Sequence, residues 1–143
     1  MIVRRVIAVA ALCAAAFVAA PAAEAESAMP GCASETHRTD PADLTIDRGR
    51  WGYTYQVTWC SDGTTILDVG TAVEYWDSPA CPWAGRIKTD DSPVPGSAAR
   101  SLFDMSEFSC HTADGILTQA ENPWAIVTIY PDGTYHVEKL AVN

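Results

Sequence analysis

Acidic residues that could act as a general acid and a base are plentiful in this sequence. Aspartate and glutamate number 18 among the 143 residues, and two close pairs, Glu74 with Asp77 and Asp104 with Glu107, are the candidates. Glycoside hydrolysis requires two carboxylates at a defined separation, which distance along a chain does not set. These acids are therefore predicted to be solvated surface groups. The alternative is that one such pair is catalytic and the protein is a small carboxylate hydrolase.

Sequence patterns for metal binding and for nucleophilic catalysis are weaker than the evidence from the acidic pairs. The three histidines, His37, His111 and His136, have neither His-x-x-x-His nor Glu-x-x-His spacing. No Gly-x-Ser-x-Gly turn presents a nucleophilic serine, and the adjacent Asp90 and Asp91 lack the rest of a calcium-binding loop. The sequence predicts no catalytic residue, metal or cofactor, so a protein without enzymatic activity is favoured.

Tryptophan is the residue type that points most directly to binding. Of the five tryptophans, Trp76 and Trp83 flank a turn around Cys81. Together with Tyr75 and Arg86 they form the candidate binding surface, because aromatic rings and arginine dominate binding hot spots and flat rings stack on sugars. The alternative is that these rings pack around the Cys81 disulfide. The remaining tryptophans alternate with other apolar residues and are predicted to lie in the core: Trp51, Trp59 and Trp124.

A strand beginning at Trp51 organises the rest of the chain. Every second residue of W-G-Y-T-Y-Q-V-T-W is large and apolar, and alternation along a strand places all of them on one face. Cys60 closes this strand, and Asp62-Gly63 predicts a tight turn into the β-rich run 64–76. Gly70, in the middle of that run, predicts a bulge or a break.

The remaining elements are also short and β-rich. Strands are predicted at 44–46, 84–88, 99–110, 124–130 and 134–140, with a helical alternative for 99–110, and loops are predicted at 89–98 and 118–122. Short strands separated by glycine and proline turns are typical of an all-β protein. We therefore predict a small antiparallel β-sandwich or barrel.

The beginning of the chain has the features of a secretory signal peptide. Arg4 and Arg5 precede the apolar run 6–20, and a small-x-small cleavage pattern ends at Ala25. We expect bacterial export, an extracellular location, and no stable membrane insertion once this signal is removed. The predicted divisions are a signal peptide at 1–25, a mostly irregular lead-in at 26–50 and a single antiparallel β domain at 51–143.

Exported chains with an even number of cysteines commonly form disulfides. Cys13 lies in the signal, which leaves Cys32, Cys60, Cys81 and Cys110. In an up-and-down path of strands, Cys81 and Cys110 fall at the end opposite Cys60, which favours the pairs Cys81–Cys110 and Cys32–Cys60. Each bridge would close a loop of roughly thirty residues and stabilise the fold by about 3 kcal/mol in the chain-entropy model.

The net charge of the chain limits the classes of partner that it is expected to bind. The formal net charge is −9, which argues against nucleic acid, whose binding depends on lysine and arginine, and disfavours an anionic membrane surface. Solubility accounts for such a charge, and a basic partner is the alternative. We expect a monomer.

Several short motifs are similar to those of a group of small exported proteins of actinomycete type. They are Val57-Thr58-Trp59-Cys60 with Asp62-Gly63, then Phe108-x-Cys110, Pro123-Trp124 and Gly133-x-Tyr135. The resemblance implies export and a disulfide-bonded β-fold, and it implies no activity.

These observations predict a secreted, non-enzymatic binding domain with its surface between Trp76 and Arg86. Its partner would be an extracellular protein or a cell-wall glycan. One version is a protease inhibitor, in which the loop Cys81-Pro82-Trp83-Ala84 is held rigid. A small extracellular hydrolase and a structural envelope protein without a specific ligand are the alternatives.

Overall fold

The computed structural model describes Cys32 and residues 34–143, so the predicted signal peptide lies outside the described residues. This part of the chain forms two antiparallel sheets that pack face to face, a sandwich-like arrangement without barrel closure. The strands are β1 (Glu35–Arg38), β2 (Thr45–Asp47), β3 (Gly52–Ser61), β4 (Ile66–Trp76), β5 (Trp83–Pro93), β6 (Arg100–His111), β7 (Leu117–Glu121), β8 (Pro123–Ile129) and β9 (Tyr135–Val142), with a 3₁₀ turn at Pro41–Leu44. The all-β prediction is confirmed.

β3 is the centre of the first sheet. One side of it pairs with β1 and β2 in succession, and its other side pairs with β4 along nearly its whole length. The alternating aromatic face predicted from the sequence points into the core, since its residues are at most 1% exposed: Trp51, Tyr53, Tyr55, Val57 and Trp59. Burial of each such side chain contributes about 1.5–3 kcal/mol.

The second sheet has the order β5–β6–β8–β9, and β7 pairs with the far end of β6. β6 is a strand of 12 residues, as favoured from the sequence, and its even-numbered side chains face the core. Trp51 stacks on Phe108 across the two sheets at 4.4 Å between ring centroids. The Trp59 indole N–H donates to the carbonyl of Tyr130 at 3.0 Å, so the large rings of β3 also satisfy their polar atoms.

Both predicted disulfides are present. Cys32–Cys60 joins the segment before β1 to the end of β3, and Cys81–Cys110 joins the segment before β5 to the end of β6. The chain path therefore brings together the cysteines that the up-and-down topology favours.

Three segments contain more strand than the sequence indicates. The lead-in supplies β1 and β2 as well as the 3₁₀ turn, because one side of β3 needs partners for its backbone groups. β5 continues to Pro93, and β7 occupies the predicted loop at 118–122, because the long β6 offers pairing positions on both sides. Proline ends β5 at a sheet edge, where the missing N–H breaks no ladder bond. Gly70 causes no break in β4; the irregularity in this pair lies between Cys60 and Ser61.

The prediction that Trp124 is a core residue is wrong. The alternate residues Ala125, Val127 and Ile129 of β8 face the core, so Trp124 lies on the outer face of the second sheet and is partly exposed. Its ring is covered there by the Lys139 side chain, whose ammonium lies 4.9 Å from the ring centroid. β8 is a central strand, but no third layer of the described chain covers its outer face.

Candidate functional site

The candidate surface lies where the edge strands of the two sheets meet. β4 is the edge of the first sheet and β5 is the edge of the second. Inward side chains of the two strands contact each other twice: the Tyr75 ring stacks on Trp83, and Arg86 Nη2 donates to Thr71 Oγ1 at 3.1 Å. We call this line of contact, from Tyr75 and Trp83 to Thr71 and Arg86, the β4–β5 seam.

The Tyr75–Trp83 pair is the most exposed aromatic feature of the seam. The ring centroids are 3.9 Å apart, with 26° between the planes, and Tyr75 is 46% exposed. Trp83 is only partly exposed and packs against the core cluster. Tyr75 therefore presents the accessible surface, and Trp83 lies between the Tyr75 ring and the core. The core cluster against which Trp83 packs includes Cys81, which corresponds for Trp83 to the alternative of packing around the disulfide.

The segment before Trp83 is firmly attached to β6. The Cys81–Cys110 disulfide is flanked by two backbone hydrogen bonds, from Ser109 N–H to the carbonyl of Pro82 at 3.0 Å and from His111 N–H to the carbonyl of Ala80 at 2.7 Å. The Trp83 N–H also donates to the Asp77 carboxylate at 2.8 Å. A rigid base reduces the entropy lost when a partner binds.

Trp76 does not belong to the same face as Tyr75. Successive residues of a strand point to opposite sides, and Trp76, paired with Gly52, lies on the outer face of the first sheet. Its indole occupies the space that a side chain at Gly52 would need, since a Cβ there would lie 2.0 Å from the indole nitrogen. Trp76 is 44% exposed, on a different surface from the stack.

The Arg86 side chain points into the seam and forms an ion pair with Asp104 there. Its Nε donates to Asp104 Oδ2 at 2.5 Å, and Asp104 is fully buried. The other carboxylate oxygen accepts the Tyr53 hydroxyl at 2.9 Å. The structure thus brings Tyr75, Trp83 and Arg86 to one seam, but it gives the guanidinium an internal partner.

Burial and the nearby Asp104 carboxylate raise the pKa of the two tyrosines beneath the seam. Burial, together with the nearby negative charge of Asp104, raises the pKa of Tyr53 far above its usual value of 10.0. Burial likewise raises the pKa of Tyr55, with Asp104 the next cause. Both phenols are therefore neutral hydrogen-bonding groups at any physiological pH.

A cleft of about 270 Å³ opens along the seam beyond Arg86. It is lined by Tyr55, Val69, Thr71, Thr89, Asp90, Asp91 and Phe103. Each of its two carboxylates has a side-chain partner: Asp91 pairs with Arg100 at 2.8 Å, and Asp90 accepts the Ser92 hydroxyl at 2.6 Å. Asp91 is therefore in an ion pair, and one oxygen of Asp90 accepts a neighbouring hydroxyl.

The two members of each carboxylate pair proposed from sequence spacing have different surroundings. Asp104 faces the core and Glu107, three residues later on β6, faces outward, where it lies 3.5 Å from the Asn122 amide nitrogen. Glu74 is on the outer face of β4 opposite Thr54. Asp77 is held by the Trp83 N–H.

The histidines occupy separate places. His37 Nε2 lies 3.1 Å from Ser61 Oγ, which resembles a base beside a nucleophile, but Ser61 is 1% exposed and its hydroxyl donates to the carbonyl of Pro131. His111 adjoins the disulfide, and His136 lies on β9. Across Cys32 and residues 34–143, no three His, Cys, Asp or Glu side chains are arranged to hold a metal ion.

Sequence analysis missed Asp104 as the centre of a buried network. The signal was present, because Asp104 has the same parity along β6 as the buried residues Leu102 and Phe108. A carboxylate in the apolar phase of a strand indicates a buried charge that needs a partner.

Comparison with known proteins adds no assignment: no family model, curated protein or solved structure matches this chain. Within the described residues, no helix has the length and apolarity required to cross a membrane.

Proposed function

We propose that this chain is a secreted, non-enzymatic domain that binds an extracellular protein through the β4–β5 seam. The observation that carries the proposal is the Tyr75–Trp83 stack, a half-exposed ring on a partly buried ring with a disulfide-anchored base. Aromatic residues in rigid surroundings are the usual centres of binding energy in protein interfaces. Two disulfides suit an oxidising extracellular location.

Binding is favoured over hydrolysis by the state of the acids around the seam. Asp104 is enclosed by Arg86 and Tyr53, and Asp91 is paired with Arg100. A general acid or base must reach the substrate, and these carboxylates are held by other side chains. The same surface could stack on a cell-wall glycan, and the experiment below distinguishes the two ligands.

The test compares retention of purified variants on cell-wall material before and after its proteins are removed. We expect the wild type to bind only the material that keeps its proteins, and Tyr75→Ala to bind about tenfold more weakly, since loss of a central aromatic costs 1 kcal/mol or more. Tyr130→Ala is the matched control, because Tyr130 is also exposed (37%) but follows β8, away from the seam.

Equal retention of Tyr75→Ala and wild type would contradict the proposed surface. Undiminished binding to the protein-free glycan, lost in Tyr75→Ala, would assign the same ring to a sugar. Thermal unfolding of each variant shows that the comparison is made between folded proteins.

A further inference from the structure

The outer edge of β4 is a long strand edge with unpaired backbone groups. β4 has 11 residues, and within the described chain it pairs with β3 alone. Hydrogen bonding alternates along an antiparallel pair, so every second residue of β4 directs its N–H and C=O away from β3.

The hydrogen bonds of β3 show which residues those are. Both backbone groups of Val57 are used on the side opposite β4: its carbonyl accepts the Thr39 N–H and its N–H donates to Thr39 Oγ1. Its cross-strand neighbour Thr71 is therefore in a non-bonded pair and directs its own backbone groups outward, and so do Val73 and Tyr75 at the same parity.

Most of the usual protections of a sheet edge are missing from β4, whose only protecting groups are the charged side chains of Asp68 and Glu74. Edge strands are normally short, bulged, or protected by charged residues, especially lysine, or by proline. β4 contains neither lysine nor proline, and its pairing with β3 is regular from Asp68 to Trp76. At its beginning, the outward N–H of Val69 bonds to the neighbouring Asp68 carboxylate at 2.9 Å.

The two edge strands carry exposed apolar side chains, with Tyr75 and Trp76 on opposite faces of β4. Of six large exposed hydrophobic residues in the described part, four belong to β4 or β5: Leu67, Tyr75, Trp76 and Ile87. A strand added beside β4 would cover part of this apolar surface as well as pair the backbone groups.

The negative charge along this edge favours a cationic partner. Asp68, Glu74 and Asp77 are exposed on or next to β4 and take part in no ion pair of the described chain. The chain carries a net charge of −9, so two copies repel each other, whereas a cationic segment is attracted.

We propose that the β4 edge binds an extended, cationic segment of an extracellular protein as an added strand. The proposal rests on the proposed function, because it names the partner of the same seam. The outward groups of Thr71, Val73 and Tyr75 would supply the main-chain hydrogen bonds, and the Tyr75–Trp83 stack would contact the apolar side chains of the segment.

The probe is a synthetic ten-residue peptide of alternating lysine and valine, measured by calorimetry at physiological salt. We expect it to slow hydrogen exchange of the Thr71, Val73 and Tyr75 N–H groups. A peptide of the same sequence with alternate N-methylated amides keeps the charge but cannot complete the ladder, so its affinity should fall about tenfold or more. A glutamate–valine peptide should not bind.

Val73→Pro removes one outward N–H and leaves the β3–β4 ladder bonds, and Val73→Ala is the matched control that keeps this N–H. We expect the proline variant to lose about tenfold in peptide affinity relative to the alanine variant. Equal binding of the two peptide backbones to the wild-type protein, or unchanged exchange of the three N–H groups, would overturn the proposal regardless of how the proline variant folds.

The cell-wall retention assay separates this proposal from the broader one. If Tyr75→Ala loses retention while Val73→Pro keeps it, the binding surface stands and strand addition is wrong. If both variants are retained like the wild type, the surface itself is wrong.

Discussion

Asp104 brings a carboxylate between the two sheets, where side chains from three strands enclose it. Tyr53 of β3 and Arg86 of β5 bond to its two oxygens, and Ser106 of β6 lies 3.4 Å away. A buried charge is tolerated only when its partners replace the lost water. Arg86 extends the network to Thr71 of β4, so one charged residue links both sheets through directional bonds.

Removing the partner of this carboxylate should be costly. We expect Arg86→Leu to lower the free energy of unfolding by about 3 kcal/mol, because Asp104 would remain buried and poorly paired. Arg100→Leu is the control: Arg100 and Asp91 form an ion pair that is more than a third exposed, so the loss should be at most about 1 kcal/mol. Urea unfolding of both variants measures the difference. Similar losses of stability in the two variants would mean that the Arg86–Asp104 ion pair is as well solvated as the Arg100–Asp91 pair.

Two turns in the fold share the sequence Asp-Gly-Thr and the same pair of hydrogen bonds between the aspartate and the threonine. In each, the aspartate carboxylate accepts both the N–H and the hydroxyl of the threonine, at Asp62–Thr64 and at Asp132–Thr134. These bonds, led by the threonine hydroxyl, lower the pKa of both exposed aspartates. The turns connect β3 with β4 and β8 with β9, so each sheet contains one such hairpin.

The two turn glycines provide a matched pair of substitutions. Both have φ of +87°, but a Cβ at Gly63 meets nothing within 4 Å, whereas one at Gly133 would lie 2.5 Å from the His37 ring. Gly63→Ala should cost about 1–2 kcal/mol from backbone strain. Gly133→Ala should cost more, because the His37 ring must also move away from Ser61. Thermal unfolding tests this order, and equal shifts would show that His37 moves freely.

At the scale of the whole fold, Cys32 and residues 34–143 form two layers, and no third layer of these residues covers the outer face of either sheet. On the second sheet, lysine side chains cover part of this face: Lys88 lies over Phe103 at 5.5 Å and Lys139 over Trp124 at 4.9 Å. At these distances the ammonium groups are attracted by the π electrons of the rings. Between the layers, Tyr53 and Tyr55 are at most 1% exposed, so the stability of the whole sandwich depends on neutral phenols.

Alkali should therefore unfold the protein cooperatively. The pKa of Tyr53 and of Tyr55 is raised in the fold above the ordinary 10.0, mainly by burial. In the unfolded chain these phenols lose their protons near pH 10, so their contribution is complete below about pH 10 and is lost as the pH rises further. Phenolate absorbance and near-ultraviolet circular dichroism, recorded in one titration, should show these two tyrosines ionising as the tertiary signal disappears.

Tyr55→Phe should remove one tyrosine from the amplitude of that step. Ionisation of both phenols while the tertiary signal is still intact would contradict their burial between the sheets.

The sequence alone determined the features that depend on local periodicity. Alternation from Trp51 to Trp59 marked the core face of β3, and Asp62-Gly63 marked the turn into β4. The order of strands was enough to favour the correct disulfides, since an up-and-down path decides which cysteines share an end of the fold. Such signals are readable because a strand repeats every two residues whatever surrounds it.

Only the tertiary structure decided which faces and edges acquired partners. A period of two shows that a strand has two faces but not which of them is covered, so Trp124 was placed in the core although it lies outside. The length of β5 depended on the pairing positions that β6 offered, and the direction of Arg86 depended on a carboxylate eighteen residues away. The placing of Tyr75 and Trp76 on opposite faces of β4, and the open β4 edge in the described chain, arise from how the two sheets meet.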